Sequence, residues 1–156
     1  MGYVDELREL VGDKPLVLVR PTAGIVNESG QLLLARGADG KWTVPGGFME
    51  PGESTEGCLR REISEEIGLE LGELQLLGVF SGSELRTKLL SGHEYDQVVV
   101  AYICTEYAGE IVPEGVEVSE ARFFSLHELP EGTDPYVRDQ LERWGPRLVQ
   151  LLKISN

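Results

Sequence analysis

The run PGGFMEPGESTEGCLRREISEEIGL, residues 45–69, constrains this chain more than any other part of it. Pro45 and Pro51 fix their φ angles, while Gly46, Gly47 and Gly52 allow close backbone approach, so residues 45–53 read as a stiffened loop. A helical pattern follows over residues 54–67. Ser54 or Thr55 can cap its start, and Gly68 sits where a left-handed C-terminal cap belongs. At about 100° per residue, Leu59, Ile63 and Ile67 form one core-facing stripe. Glu62, Glu65 and Glu66 form the adjoining stripe at its shoulder, with Arg60 and Ser64 on the opposite face.

A helix that collects carboxylates works against itself. Glu62 and Glu66 are like charges at i, i+4, which costs about 0.2–0.5 kcal/mol. They also lie toward the helix C-terminus, whose dipole disfavours anions. Arg61 can pair with Glu65 one turn on, which leaves two carboxylates uncompensated. The stripe is therefore either a solvated acidic face or a seat for a hard divalent cation, which takes oxygen ligands and relieves the repulsion.

The rest of the chain limits the partners. Twenty-seven acidic residues against 14 basic ones give a formal charge of -13 over 156 residues, so nucleic-acid polymers and anionic membranes are disfavoured. A small anionic substrate needs a local cation. Cys58 and Cys104 make no CxxC and no disulfide framework, the start MGYVDELREL lacks an apolar signal region, and no apolar run approaches a membrane span. The expectation is a cytoplasmic protein in which residues 1–156 form one domain.

Leu7, Leu10 and Val11 at helical spacing predict a short helix over residues 3–11. Residues 15–20 and 22–27 read as strand segments, and 31–36 as a hairpin return after the turn NESG. Residues 74–82, 95–107 and 121–126 read as further strands, and SELRTKLLSG, residues 83–92, as a loop between two of them. A C-terminal helix is expected over about 134–153, kinked or broken at Pro146. These elements imply an α/β (α+β) layer structure, a mixed β-sheet flanked by helices.

Gly47, five residues, Glu53, seven residues, Arg61-Glu62-Ile63, one residue, Glu65-Glu66, one residue and Gly68-Leu69 complete the pattern. This resembles the Nudix box of the Nudix (MutT-like) hydrolases at every defining position. KWTVPGG before it and ARFFSLHELP after it are similar to the family's flanks. The resemblance implies an α/β/α sandwich and a metal-dependent pyrophosphohydrolase using Mg²⁺ or Mn²⁺. Its substrate would be a nucleoside diphosphate linked to another moiety: a nucleoside triphosphate, ADP-ribose or a nucleotide sugar. Carried over residue by residue, Glu62, Glu65 and Glu66 are expected metal ligands, with Glu65 and Glu66 also in catalysis. Glu53 and Arg61 are expected to form a salt bridge holding loop to helix. Gly47 and Gly68 are structural, and the Gly47 backbone is offered to metal or phosphate.

The base that activates water is left open between the box and the loop VPEGVEVSEARFF, which offers Glu114, Glu117 and Glu120. Glu117, six residues before Phe123, has the spacing of a late metal-binding glutamate in some family members. Candidate substrate contacts are Arg36, Phe48, Arg86 and Lys88, with Arg20 a further cation near the box. Trp42 is expected in the core, Cys58 as a small buried residue, and His93 in a loop. The family resemblance also admits a homodimer, through the N- or C-terminal helix. The rival reading is a non-catalytic nucleotide-binding sensor on the same fold.

Overall fold

The computed structural model describes residues 2–88 and 92–155. Helix α1 (Tyr3–Val11) leads into β1 (Leu16–Ile25), β2 (Leu32–Gly37) and β3 (Trp42–Thr43). Helix α2 (Thr55–Ile67) follows, then β4 (Glu70–Leu71) and β5 (Gln75–Phe80). A 3-10 turn (Ser83–Leu85), β6 (Arg86–Lys88), β7 (Glu94–Cys104), β8 (Tyr107–Ala108), β9 (Val118–Phe124) and α3 (Pro135–Ser155) complete the chain.

Strand β7 organises a mixed sheet. It runs parallel to β1 and antiparallel to β5 and β6. Strand β2 sits at the centre of a second, antiparallel sheet, between β3 and β9. Helices cover β2 on both sides. Leu33 and Ala35 pack with Leu59, Ile63 and Ile67 of α2. Leu32 and Leu34 pack with Trp42 and with Val137 of α3. This alternation gives the α/β/α sandwich, and each fully buried Leu or Ile contributes about 1.5–3 kcal/mol. Trp42 is a core residue, edge-on to Phe124 at 5.1 Å.

Several local expectations are corrected. The two segments before NESG are one strand, which passes through Pro21. Its return is not a hairpin partner along its length. Asn27 Oδ1 accepts from the amides of Ser29 and Gln31, a single bridge joins Val26 to Leu32, and the strands then part into different sheets. Register against β7 and β9 outweighs the local turn. Residues 83–88 are a 3-10 turn and a strand on β7 rather than loop; residues 89–91 of that stretch lie outside the described residues. The segment 95–107 divides into β7 and a short β8 paired with β4. Helix α3 continues through Pro146 without a break. The carbonyl that loses its bond there belongs to Glu142, an exposed residue that water can satisfy.

Candidate metal and substrate site

The site is built where a loop is laid along the edge of β1. The Ala23 amide donates to Pro45 O (2.9 Å), Gly47 N to Pro21 O (3.2 Å) and Met49 N to Val19 O (3.2 Å). A Cβ on Gly46 would fall 2.2 Å from the Pro21 carbonyl oxygen, so this approach requires glycine. The loop then turns into α2. Ser54 Oγ accepts from Gly57 N at 2.9 Å, and Gly68, at φ 87°, closes the helix with its amide on the Ile63 and Ser64 carbonyls.

Arg61 fastens loop to helix. It forms a two-pronged bond with Glu53, Nε to Oε2 at 2.7 Å and Nη2 to Oε1 at 2.9 Å. Glu53 Oε1 also accepts from the Glu50 amide at 2.8 Å. The Arg61 guanidinium holds the Glu53 carboxyl down at about 2. Its remaining nitrogen reaches Glu62 at 3.1 Å and Glu65 at 3.3 Å. Cys58 is fully buried beneath this network, its thiol pushed up to about 12 by burial and by Glu53 and Glu62.

Glu62, Glu66 and Glu117 converge, with one carboxylate oxygen of each within 4.8 Å of the others. Burial, then the bonds and charges of Glu117 and Glu62, push Glu66 up to about 9. Without a cation Glu66 therefore resists ionisation near neutral pH. A crowded, all-oxygen donor set that resists ionisation fits a hard divalent cation. Glu65 stands apart: its side chain is 62% exposed and tied to Arg61. Helical geometry accounts for this, because Glu66 is rotated only about 40° from Glu62, and Glu65 about 60° the other way.

The three loop carboxylates have separate placements. Glu114 accepts from the amides of Val116 and Val118 at 2.9 and 2.8 Å, and also from that of Glu117. Its own amide donates to Glu66 O at 3.0 Å, so Glu114 shapes the turn that presents Glu117 to the box helix. Glu120 pairs with Arg36 at 3.3 Å and Arg122 at 2.8 Å.

A cavity of about 1220 Å³ opens beside Glu62, Glu66 and Glu117 and runs between the mixed sheet and α3. Phe48, Arg86 and Lys88 line it, as does Arg20; Arg36 does not. Phe48 meets Tyr95 edge-on at 5.0 Å. Arg86 is committed to Asp96 at 2.8 Å. His93 Nε2 lies 3.2 Å from Asp13. Sequence reasoning did not single out the α3 wall, Tyr136, Gln140 and Trp144. Their i, i+4, i+8 spacing was readable, but which sheet that stripe faces was not.

A cluster of three carboxylates lining a nucleotide-sized cavity in an α/β/α sandwich is a donor set of the kind that could hold a hard divalent cation. The chain belongs to the NUDIX domain family, whose model matches residues 18–145. Over 110 residues it is 34% identical to an NAD-capped RNA hydrolase, NudC, of Pseudomonas fluorescens. That match covers 68% of this chain and 36% of the relative, so the chain spans about a third of the curated relatives it matches. A MutT NUDIX hydrolase from Burkholderia pseudomallei superposes with TM-score 0.67 at 28% identity, covering 81% of this chain and 96% of that one. A MutT protein from Methanosarcina mazei Go1 gives 0.68 at 25%, covering 86% and 96%. Among the described residues, no helix is long and apolar enough to cross a membrane.

Proposed function

We propose that this chain is a Mg²⁺- or Mn²⁺-dependent pyrophosphohydrolase acting in the cytoplasm on a nucleoside diphosphate linked to another moiety. The observation that carries the reading is the convergence of Glu62, Glu66 and Glu117 on the wall of the cavity. Glu62 and Glu66 come from one helix and Glu117 from the turn before β9, so the trio is a tertiary arrangement rather than a helical charge run. Bound there, a divalent cation would neutralise charge on the diphosphate and acidify water. Glu62 and Glu66 would hold the cation, and Arg61 keeps Glu62 oriented. Glu117 is the exposed member and would take the proton of water as the water oxygen bonds to phosphorus and the P–O–P bridge breaks. Glu65 acts through Arg61, as a positioning residue.

The substrate classes supported are nucleoside triphosphates, ADP-ribose and nucleotide sugars. The P. fluorescens relative's name adds NAD-capped RNA, which the formal charge of -13 opposes as a polymer partner. The test is a panel of these compounds with Mg²⁺ or EDTA, products identified by mass spectrometry. Mg²⁺-dependent cleavage of one class above the rest supports the reading. Tight binding with no turnover across the panel rejects it in favour of a sensor. Light scattering decides whether the protein is a homodimer.

A further inference from the structure

The turn that carries Glu117 has no strand or helix of its own to hold it. Residues 109–117 lie between β8 and β9, and Glu114, Gly115, Val116 and Glu117 are all exposed. Gly115 takes φ 97°, and its amide donates to Val118 O at 2.9 Å to close the turn. A carboxylate that serves a reaction must be held to about 0.5 Å. In this turn a side chain supplies that hold.

Glu114 gives two anchors. Its Oε1 accepts from the amides of Val116 at 2.9 Å and Val118 at 2.8 Å, and also from that of Glu117. The amides of Glu117 and Val118 flank the Glu117 Cα. Holding both fixes the rigid peptide planes on either side of it, and with them the direction of its Cβ. Bonds to an ionised oxygen are about twice as strong as neutral ones. The second anchor is main chain. Glu114 N donates to Glu66 O at 3.0 Å, and Val112 N to Ile67 O at 2.7 Å. Both carbonyls belong to the last turn of α2, where no further helical amide remains to take them. One residue thus bonds the backbone of Glu66 and the backbone of Glu117, two of the three converging carboxylates. Glu114 itself neither joins that cluster nor lines the cavity.

We propose that Glu114 is a positioning residue that holds the Glu117 carboxylate on the Glu62–Glu66 pair and so sets cation affinity there. This rests on the reading of the cluster as the cation site of a diphosphate hydrolase. It goes further by giving a role to a carboxylate outside the cluster and by coupling it energetically to Glu117.

The test measures Mn²⁺ binding to the whole chain without substrate, by electron paramagnetic resonance of the free ion. Wild type is compared with Glu114→Ala, Glu114→Gln, Glu117→Gln and the Glu114→Ala/Glu117→Gln double variant. Glu114→Ala removes the acceptor and should raise the Mn²⁺ Kd about tenfold or more, as for other residues that orient metal ligands. Glu114→Gln keeps an oxygen that accepts all three amides and should stay within about threefold of wild type. With Glu117→Gln already present, Glu114→Ala should add less than about twofold, because the group it positions is gone. A residue that only stabilised the loop would give additive losses. Melting curves verify that each variant folds, and Glu114→Leu repeats the comparison should the alanine variant fold poorly. The proposal is overturned by an alanine variant that binds like wild type, by a glutamine variant as weak as the alanine one, or by additive losses. Wild type that binds no Mn²⁺ would sink the cation reading and this proposal with it. Mn²⁺ binding by wild type, with the expected losses in the variants but no hydrolysis of any diphosphate, would sink the enzymatic reading and leave this one standing.

Discussion

A Cβ placed on Gly47 would lie 2.3 Å from Cδ of Glu62, so the loop and the box helix meet with no room for a side chain between them. The atom in the way is the far end of a flexible side chain, whereas at Gly46 it is the Pro21 backbone. Neighbouring glycines thus have different consequences. Gly46→Ala should destabilise the fold, because a carbonyl in a fixed strand cannot move aside. Gly47→Ala should fold and displace the Glu62 carboxylate. We expect its Mg²⁺ affinity to fall by about 10–100-fold, the range typical of a misplaced metal-site partner. Melting curves and Mg²⁺ titrations of turnover would separate the two variants, and equal Mg²⁺ requirements for Gly47→Ala and wild type would reject the argument.

Glu66→Gln should stabilise the protein where it disables it. The Glu66 carboxyl is pushed up to about 9 by burial and by two neighbouring carboxylates, so ionising it in the metal-free protein is unfavourable. A neutral amide removes that conflict. In EDTA near pH 8 the variant should melt higher, at roughly 2–4 °C per kcal/mol relieved. Mg²⁺ should raise the melting temperature of wild type and leave the variant unmoved, and turnover should fall beyond the roughly 10–100-fold cost of outer metal-site partners. If Mg²⁺ stabilises both proteins equally, Glu66 is no ligand.

Much of this site was legible because its determinants are local. Caps at Ser54 and Gly68 and the Leu59–Ile63–Ile67 stripe depend on residues close together in sequence, where helical geometry dictates neighbours, whereas the Glu53–Arg61 pairing was legible only through the family resemblance. Glu117 was reachable only through family spacing, since its approach to Glu62 and Glu66 depends on β9 docking beside β2. The β1–β2 connection misled for the same reason. A turn signal specifies a reversal, as Asn27 shows, but not which sheet each strand joins afterwards. Tyr136 and Gln140 carried only their helical spacing as a sequence signal, and spacing does not say which sheet a helix face meets.

Glu65 and Glu117 change places relative to a reading of the helix alone. Glu65 is 62% exposed and, among the described residues, bonded at Arg61, whereas Glu117 joins the carboxylate cluster from another part of the chain. An exposed ion pair of this kind contributes about 0–1 kcal/mol. Glu65→Gln should therefore cost up to about fivefold in kcat, by loosening Arg61. Glu117→Gln should cost about 100-fold or more if its carboxylate takes the proton, and should flatten the acid limb of the pH–rate profile. Comparable kcat losses in the two variants would return Glu65 to the metal.

The Glu53–Arg61 pair sets an acid limit on stability. The folded-state value of Glu53 is about 2, against 4.5 for an unperturbed carboxyl, because Arg61 and the Glu50 amide bond its charged form. The folded state therefore binds the proton less readily than the unfolded state. The stabilisation is fully present above about pH 4.5 and is lost as the pH falls toward about 2. It amounts to no more than about 3 kcal/mol, and to less because water reaches the guanidinium. Glu53→Gln should lower the melting temperature near pH 7 and converge on wild type near pH 2. Arg61→Lys should do likewise and raise the Mg²⁺ concentration required for turnover too, since lysine cannot make the fork to Glu53 while also holding Glu62. Melting curves from about pH 2 to 7 test both variants, and a gap between Glu53→Gln and wild type that persists at the acid end would show that the pair contributes packing rather than charge.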